Sequence, residues 1–264
     1  MEKTIPLKTR LEVGYIRRAS ALVENTLRDI RQMIAPGMTT LAINRYCEEQ
    51  ITDGDAGKAL KGYRGYPAGI CASVNQVAAH GLPTDTPPED GDMVTIDITV
   101  ELAGWYGDGS WTFLVGRGTP DQRRLLKAAW LASMAGIKAA RAGNRMGDVG
   151  HAISSMALKY GCHVMDNFVG HGIGRDIHEE PMVLPVGEKG VGQPIVPGMV
   201  FTIEPILTLG CGKTKTLEDG WSIVTTDGSP CAQFEHTVAV FSQKTEVLTL
   251  QKAAAGGILP LPPY

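Results

Sequence analysis

Residues 91–109 read GDMVTIDITVELAGWYGDG. Val94, Ile96, Ile98 and Val100 alternate with Thr95, Asp97 and Thr99, the period of two expected of a strand with one apolar and one polar face. Leu102–Gly104 supplies a turn, and Trp105 and Tyr106 begin a return strand that reaches Asp108. With the turn centred on Leu102–Ala103, Asp97 and Asp108 fall opposite each other, where cross-strand Cβ atoms stand about 4.5–5.5 Å apart. Like charges that close destabilise a hairpin unless a proton or a cation lies between them. The hairpin alone leaves two readings open: a turn that separates two solvated carboxylates, or a shared cation.

The flanking sequence reads as two similar halves. Leu11, Ile16, Ala19, Leu22, Val23, Leu27, Ile30 and Ile34 recur at helical spacing over 8–34, and Pro36–Gly37 ends that helix. A second helix is capped by Thr39 or Thr40 and runs to about Ile51. An irregular KGYRGYPAG (61–69) and a strand-like 70–78 then lead to His80. Thr119-Pro120-Asp121 starts a third helix to about Ala142, and Gly147–Asp148 a fourth that ends at Tyr160–Gly161. The glycine-rich GHGIGRDIHEEP (170–181) follows, then a strand through Thr202, Ile203 and Glu204. Residues 213–219 read as irregular, and 221–225 and 232–241 as strands joined by the turn Asp227–Gly228. GDMVTID at 91–97 matches GMVFTIE at 198–204, each placing Thr-Ile and an acid six residues after a glycine. Two such units facing each other would each supply carboxylates to one cleft.

Composition narrows the class. A net charge of −3 with no basic run argues against nucleic acid as the main partner. The five cysteines are widely spaced, with no CxxC, so neither a disulfide framework nor a zinc ribbon is indicated. No apolar leader and no long apolar run occur, so the expectation is a cytoplasmic protein that meets no membrane. Asp97, Asp108, His171, Glu204 and Glu235 are the candidate ligands. Carboxylates on strand-like segments are costly to bury unpaired, and one imidazole among oxygens suits Mn, Fe, Co or Zn. Four acids and one histidine exceed the needs of one ion, whereas a pair about 3.5–4 Å apart absorbs them. The Gly170-x-Gly-x-Gly spacing lacks the context of a phosphate loop.

The motifs HGLP (80–83), TIDITV (95–100), YGDGS (106–110), GHGIGRDIHEEP (170–181), FTIEP (201–205), LEDGWSIVTTDG (217–228) and QFEHT (233–237) occur in one order. With them the chain closely resembles the type I methionine aminopeptidases, from about residue 4 to 245. The resemblance implies an α+β, pita-bread (creatinase/aminopeptidase) fold: a pseudo-twofold duplicated β-sheet core with helices outside. It implies one catalytic domain over 1–252, with halves of about 1–118 and 119–252, and a Pro/Gly/Ala-rich tail at 253–264. The implied activity is removal of the initiator methionine by metal-hydroxide attack on the first peptide bond. Asp108 and Glu235 would bridge two divalent ions (Co, Mn, Fe or Zn), Asp97 would bind one, and His171 and Glu204 the other. Glu204 would also carry the proton, His80 would bond the scissile amide and His178 the oxyanion. Tyr63, Tyr66, Cys71 and Trp221 would form the methionine pocket, and carbonyls of Asn75, Val77 and Cys231 a sodium or potassium site.

Ile177, Leu60, Arg64 and Ala79 depart from familiar bacterial members, in the pocket rather than in the chemistry. Expected partners are nascent polypeptide N-termini, with the ribosome an open second partner, no DNA and no membrane, the chain acting as a monomer. Two alternatives stand beside this: an Xaa-Pro-type peptidase, whose relatives usually carry an extra N-terminal domain, and a non-catalytic peptide-binding member of the same fold. Glu204 and Glu235 are only 31 positions apart, which leaves no room for the helical insertion of the type II branch.

Overall fold

In the computed structural model, which describes residues 4–250, the hairpin turns later than its sequence suggests. Strands Met93–Leu102 and Trp105–Leu114 flank a two-residue turn in which Ala103 and Gly104 take φ of 54° and 77°. Two left-handed residues match the twist of the flanking strands, but alanine gives no sign of adopting that conformation. The expected centre at Leu102–Ala103 is therefore corrected to Ala103–Gly104. Asp97 lies opposite Ser110, and Asp108 opposite Thr99. A register change of two residues keeps every side chain on its face, so the aspartates are diagonal neighbours rather than a direct pair.

The main sheet is antiparallel. Its central path runs Gly57–Lys58, Met93–Leu102, Trp105–Leu114, Cys231–Val240, Val200–Ile203, Gly170–Gly172 and Glu179–Val183. The seam lies between Trp105–Leu114 and Cys231–Val240, where Ser110 pairs with Glu235. One strand outward on either side are the two matched segments, Met93–Leu102 with Asp97 and Val200–Ile203 leading into Glu204. This is the duplicated arrangement expected from the repeat. Across the four strands the register puts Asp97, Ser110 and Glu235 in one row. Thr99 pairs with Asp108, and Thr237 with Thr202, in the next.

The opposite face carries Ile96, Ile98, Trp111, Phe113, Phe201, Ile203, Phe234 and Val238, all buried. They pack with Val23, Leu27 and Ile30 of helix Arg10–Met33, Ile43 and Ile51 of Thr40–Asp53, Leu125 and Trp130 of Pro120–Ala139, and Ile153 of Met146–Lys159. Burying one such side chain is worth about 1.5–3 kcal/mol, which holds the polar face in place. Two of the helices open on capping boxes, Thr9 with Glu12 and Thr119 with Gln122, the latter with Pro120 in its first turn. The third helix ends at Ala139, short of the expected Ala142, where Asn144 Nδ2 donates to the Ala139 carbonyl at 2.7 Å. No helix among the described residues is long and apolar enough to cross a membrane.

Two further expectations are corrected. Residues 214–216 form a strand paired with Ile223–Thr225, which pairs in turn with Val77–Ala79 in a separate small sheet. The strands around Asp227–Gly228 therefore belong to different sheets. Asp227 accepts from the N–H groups of Cys211 (2.8 Å) and Ser229 (3.0 Å), holding the turn that redirects the chain. The strand expected over 70–78 also breaks at Asn75, φ 52°, into Cys71–Val74 on the main sheet and Val77–Ala79 on the small one. The tail expected at 253–264 lies outside the described residues.

Candidate metal centre

Asp97, Asp108, His171, Glu204 and Glu235 all line one cavity of about 730 Å³. His171 Nε2 stands 3.6 Å from Glu204 Oε1 and 3.8 Å from Asp108 Oδ2. One ligand atom each from Asp108, His171 and Glu235 lies within 4.8 Å of the others. His171 is carried by Gly170–Gly172, squeezed between two neighbours. A Cβ on Gly170 would sit 2.5 Å from the Thr202 carbonyl, and one on Gly172 2.1 Å from that of Glu180. Close strand approach, not phosphate binding, is what these glycines serve.

Threonines in the second row hold the ligands. Thr202 Oγ1 accepts from the His171 N–H (2.9 Å) and donates to Glu204 Oε1 (2.7 Å). Thr99 Oγ1 donates to Asp108 Oδ1 at 2.9 Å. His171 Nδ1 lies 3.0 Å from the Gly172 carbonyl, which can only accept. Nδ1 therefore carries the hydrogen, and the Nε2 lone pair faces the acids. These threonines were not singled out in the sequence; their alternation with the apolar residues was the available sign. Nothing in the sequence links Lys8 to Glu179, whose buried ion pair braces the loop before His178. The same Glu179 accepts from the Arg175 N–H at 2.7 Å.

The acids are held far from their ordinary ionisation. Burial raises Asp97 well above the usual carboxylate range, and the charges of Asp108 and Glu204 add to it. Burial also drives Glu235 well up, followed by Asp108, Glu204 and Asp97. Glu204 is pushed up to about 7 by burial, against the lowering effects of His171 and the Thr202 hydrogen bond. Asp108 is raised by burial too, with His171 and Thr99 opposing. Glu235 is 2% exposed and its Oε1 has no hydrogen-bond partner among the described residues. Four acids in this condition require shared protons or cations. An oxygen-rich set with one imidazole and an orphaned buried acceptor fits divalent ions.

The remaining expected residues divide. Cys71 pairs directly with Asp97 across the sheet, so the pocket wall adjoins the acids. Tyr66 donates its hydroxyl to the carbonyls of Gly81 (2.8 Å) or Ile70 (3.1 Å) and presents only its ring, with Trp221 edge-on at 5.1 Å. Tyr63 OH lies 2.8 Å from His178 Nδ1, and the His178 ring stands 4.2 Å from His171. Desolvation and then the charges of His171, Arg64 and His80 lower His178 to about 4. His80 holds a left-handed φ of 56°, fixed by Gly81, where a Cβ would meet the Ala72 carbonyl at 2.4 Å. Desolvation lowers its pKa as well.

The Asn75 carbonyl accepts from the Cys231 N–H at 2.8 Å, while Val77 pairs with Val224. His236 faces away from the cavity, on the helical side of its strand, against Trp130 at 5.7 Å and Thr249 at 2.9 Å.

An antiparallel sheet divided by a pseudo-twofold seam, with acids on three adjacent strands and just past the end of a fourth, defines a class of metallopeptidase. The family model of metallopeptidase family M24 matches residues 14–241. The chain belongs to that family, among its methionine aminopeptidases. It is 40% identical over 262 residues to methionine aminopeptidase from Rickettsia prowazekii (strain Madrid E), covering 99% of this chain and 100% of that one. It is 37% identical to methionine aminopeptidase 1 of Bacillus subtilis (strain 168), covering 92% of this chain and 98% of that one. A crystal structure of the Rickettsia prowazekii enzyme superposes with a TM-score of 0.92 over 94% of this chain and 100% of that one. Prolidase from Pyrococcus furiosus shares the fold at a TM-score of 0.70 and 20% identity, with 92% of this chain matched to 65% of that one.

Proposed function

We propose that this chain removes N-terminal methionine from polypeptides, using two divalent ions held by Asp97, Asp108, His171, Glu204 and Glu235. The observation that carries the proposal is the convergence of these five residues on one cavity whose wall continues into Tyr66, Cys71 and Trp221. Asp108 and Glu235 would be shared between the ions, Asp97 would hold one, and His171 and Glu204 would hold the other. Bound there, such ions would supply a water of lowered pKa and Lewis acidity toward the first carbonyl and the free amine.

Glu204 takes the proton released and returns it to the leaving amine. His178 is neutral at pH 7, consistent with its lowered pKa. With the Tyr63 O–H donating to Nδ1, its Nε2–H is available to the developing oxyanion. His80 bonds the scissile amide. The thioether of methionine meets two aromatic rings and a sulfur, an environment that suits it. Nascent chains in the cytoplasm are the substrates, and carbonyls of Asn75, Val77 and Cys231 would hold a monovalent cation.

Turnover of Met-Ala-Ser against Ala-Ala-Ser and Xaa-Pro peptides, under Mn, Fe, Co and Zn in turn, tests this reading. Met-Ala-Ser should be strongly preferred. Equal cleavage of methionine and alanine termini would remove the methionine assignment, and preference for Xaa-Pro would replace it.

A further inference from the structure

Arg64 is left without a role by the chemistry above. Among the described residues it is the only lysine or arginine that lines the cavity. It is exposed, and its guanidinium lies 5.3 Å from the centroid of the Tyr63 ring. The loop that carries it is set rigidly. Gly62, Arg64 and Gly65 take φ of 88°, 50° and 90°. The Gly62 N–H donates to the Tyr66 carbonyl (2.8 Å) and the Tyr66 N–H to that of Tyr63 (2.9 Å). A non-glycine held in the left-handed region is a local cost, and here it fixes where the cation stands.

That place is the mouth. The exposed lining residues are Arg64, His80, Asn167, His178 and Met182, so a peptide whose terminus is seated among the acids leaves past them. Two divalent ions would balance the charges of Asp97, Asp108, Glu204 and Glu235, Glu179 is already paired with Lys8, and Glu180 is the remaining acid of the lining. The guanidinium therefore faces the outgoing chain as the one arginine or lysine side chain among the described lining residues. Its planar fork suits a carboxylate. We infer that Arg64 is a specificity-determining residue that binds an acidic side chain on the substrate's third residue, just beyond the cavity. The inference rests on the aminopeptidase reading of the same site.

The test uses C-terminally amidated peptides Met-Ala-Xaa-Ser-Gly with Xaa glutamate, glutamine or lysine, so that the side chain supplies the only carboxylate. With the Mn-loaded protein, KM for the glutamate peptide should be about two- to fivefold below that for glutamine, the range an exposed ion pair spans. The kcat values should stay alike, and the difference should shrink with added NaCl. R64A should bring the KM ratio to one, R64K should keep part of it, and R64E should turn the preference toward lysine, which a merely structural role would not produce. Turnover without a glutamate preference, or a preference that survives in R64A, overturns the role of Arg64 alone. Absence of turnover on all three peptides overturns the aminopeptidase reading and this inference with it.

Discussion

Stripping divalent ions with a chelator should make the stability of this chain fall as pH rises above about 7.5. Glu204 has an ordinary carboxyl pKa of 4.5 when unfolded and is held at about 7 in the folded chain. Asp97 and Glu235 are raised as well, by burial first and by their acidic neighbours second. Below about pH 7.5 the unfolded forms of His80, His178 and His236 still bind protons that their folded forms do not, which opposes the trend; above it they are neutral in both states and drop out. Between about pH 7.5 and 9 the unfolded acids are ionised, while the raised Asp97 and Glu235 keep at least one proton in the folded cluster. A group whose folded pKa is raised loses its contribution as pH climbs toward that folded value. Each proton retained costs about 1.4 kcal/mol per pH unit, or roughly 2 kcal/mol across the window.

Saturating Mn replaces the protons and removes the slope, and it adds about 2.7 kcal/mol when free metal is 100 times its Kd. Urea unfolding of the chelated and loaded protein at three pH values in this window measures both effects. A chelated chain whose stability is flat or rises with pH would refute the burial of four converging acids. A loaded chain with the same slope would refute the exchange of ions for protons.

Three other outcomes follow from the same geometry. Asp97→Ala should abolish turnover while keeping the native circular dichroism, and it should make the chelated protein more stable at pH 8 by removing one like charge; wild-type rates after metal titration would exclude the two-ion site. Thr202→Val loses both the donor to Glu204 and the acceptor for His171 N–H, so isothermal titration should show metal affinity weakened about 10- to 100-fold. Gly172→Ala forces a Cβ to 2.1 Å from the Glu180 carbonyl. Denaturant unfolding should show a loss of about 1–3 kcal/mol, and metal affinity should fall with it.

Much of this site was legible because strand parity survives small errors. The turn was misplaced, yet Asp97 and Asp108 remained on one face because the shift was two residues. The match of 91–97 to 198–204 carried Glu204 to the equivalent strand on the far side of the seam. What stayed hidden was long-range or conformational. Ala103 and Asn75 adopt left-handed backbone without a glycine to announce it. The short strand at Thr214–Thr216 is polar and gains its order only from Ile223–Thr225 beside it. Lys8 finds Glu179 across 171 residues of chain, a pairing no local pattern encodes.

The seam also bears on the order in which the molecule is made. Asp97 and Asp108 stand on a local hairpin that can form as soon as residue 114 is available. Their counterparts arrive far later, His171 and Glu204 after helices Pro120–Ala139 and Met146–Lys159 and Glu235 only with Cys231–Val240. Chains fold from the N-terminus as they are synthesised, so the first half exists for a time as a sheet edge with two acids and no partners. It must keep those acids protonated or in water until the second half docks. Ion capture is thus among the last events of biogenesis, and the centre that trims other nascent chains is absent from this one through most of its own synthesis.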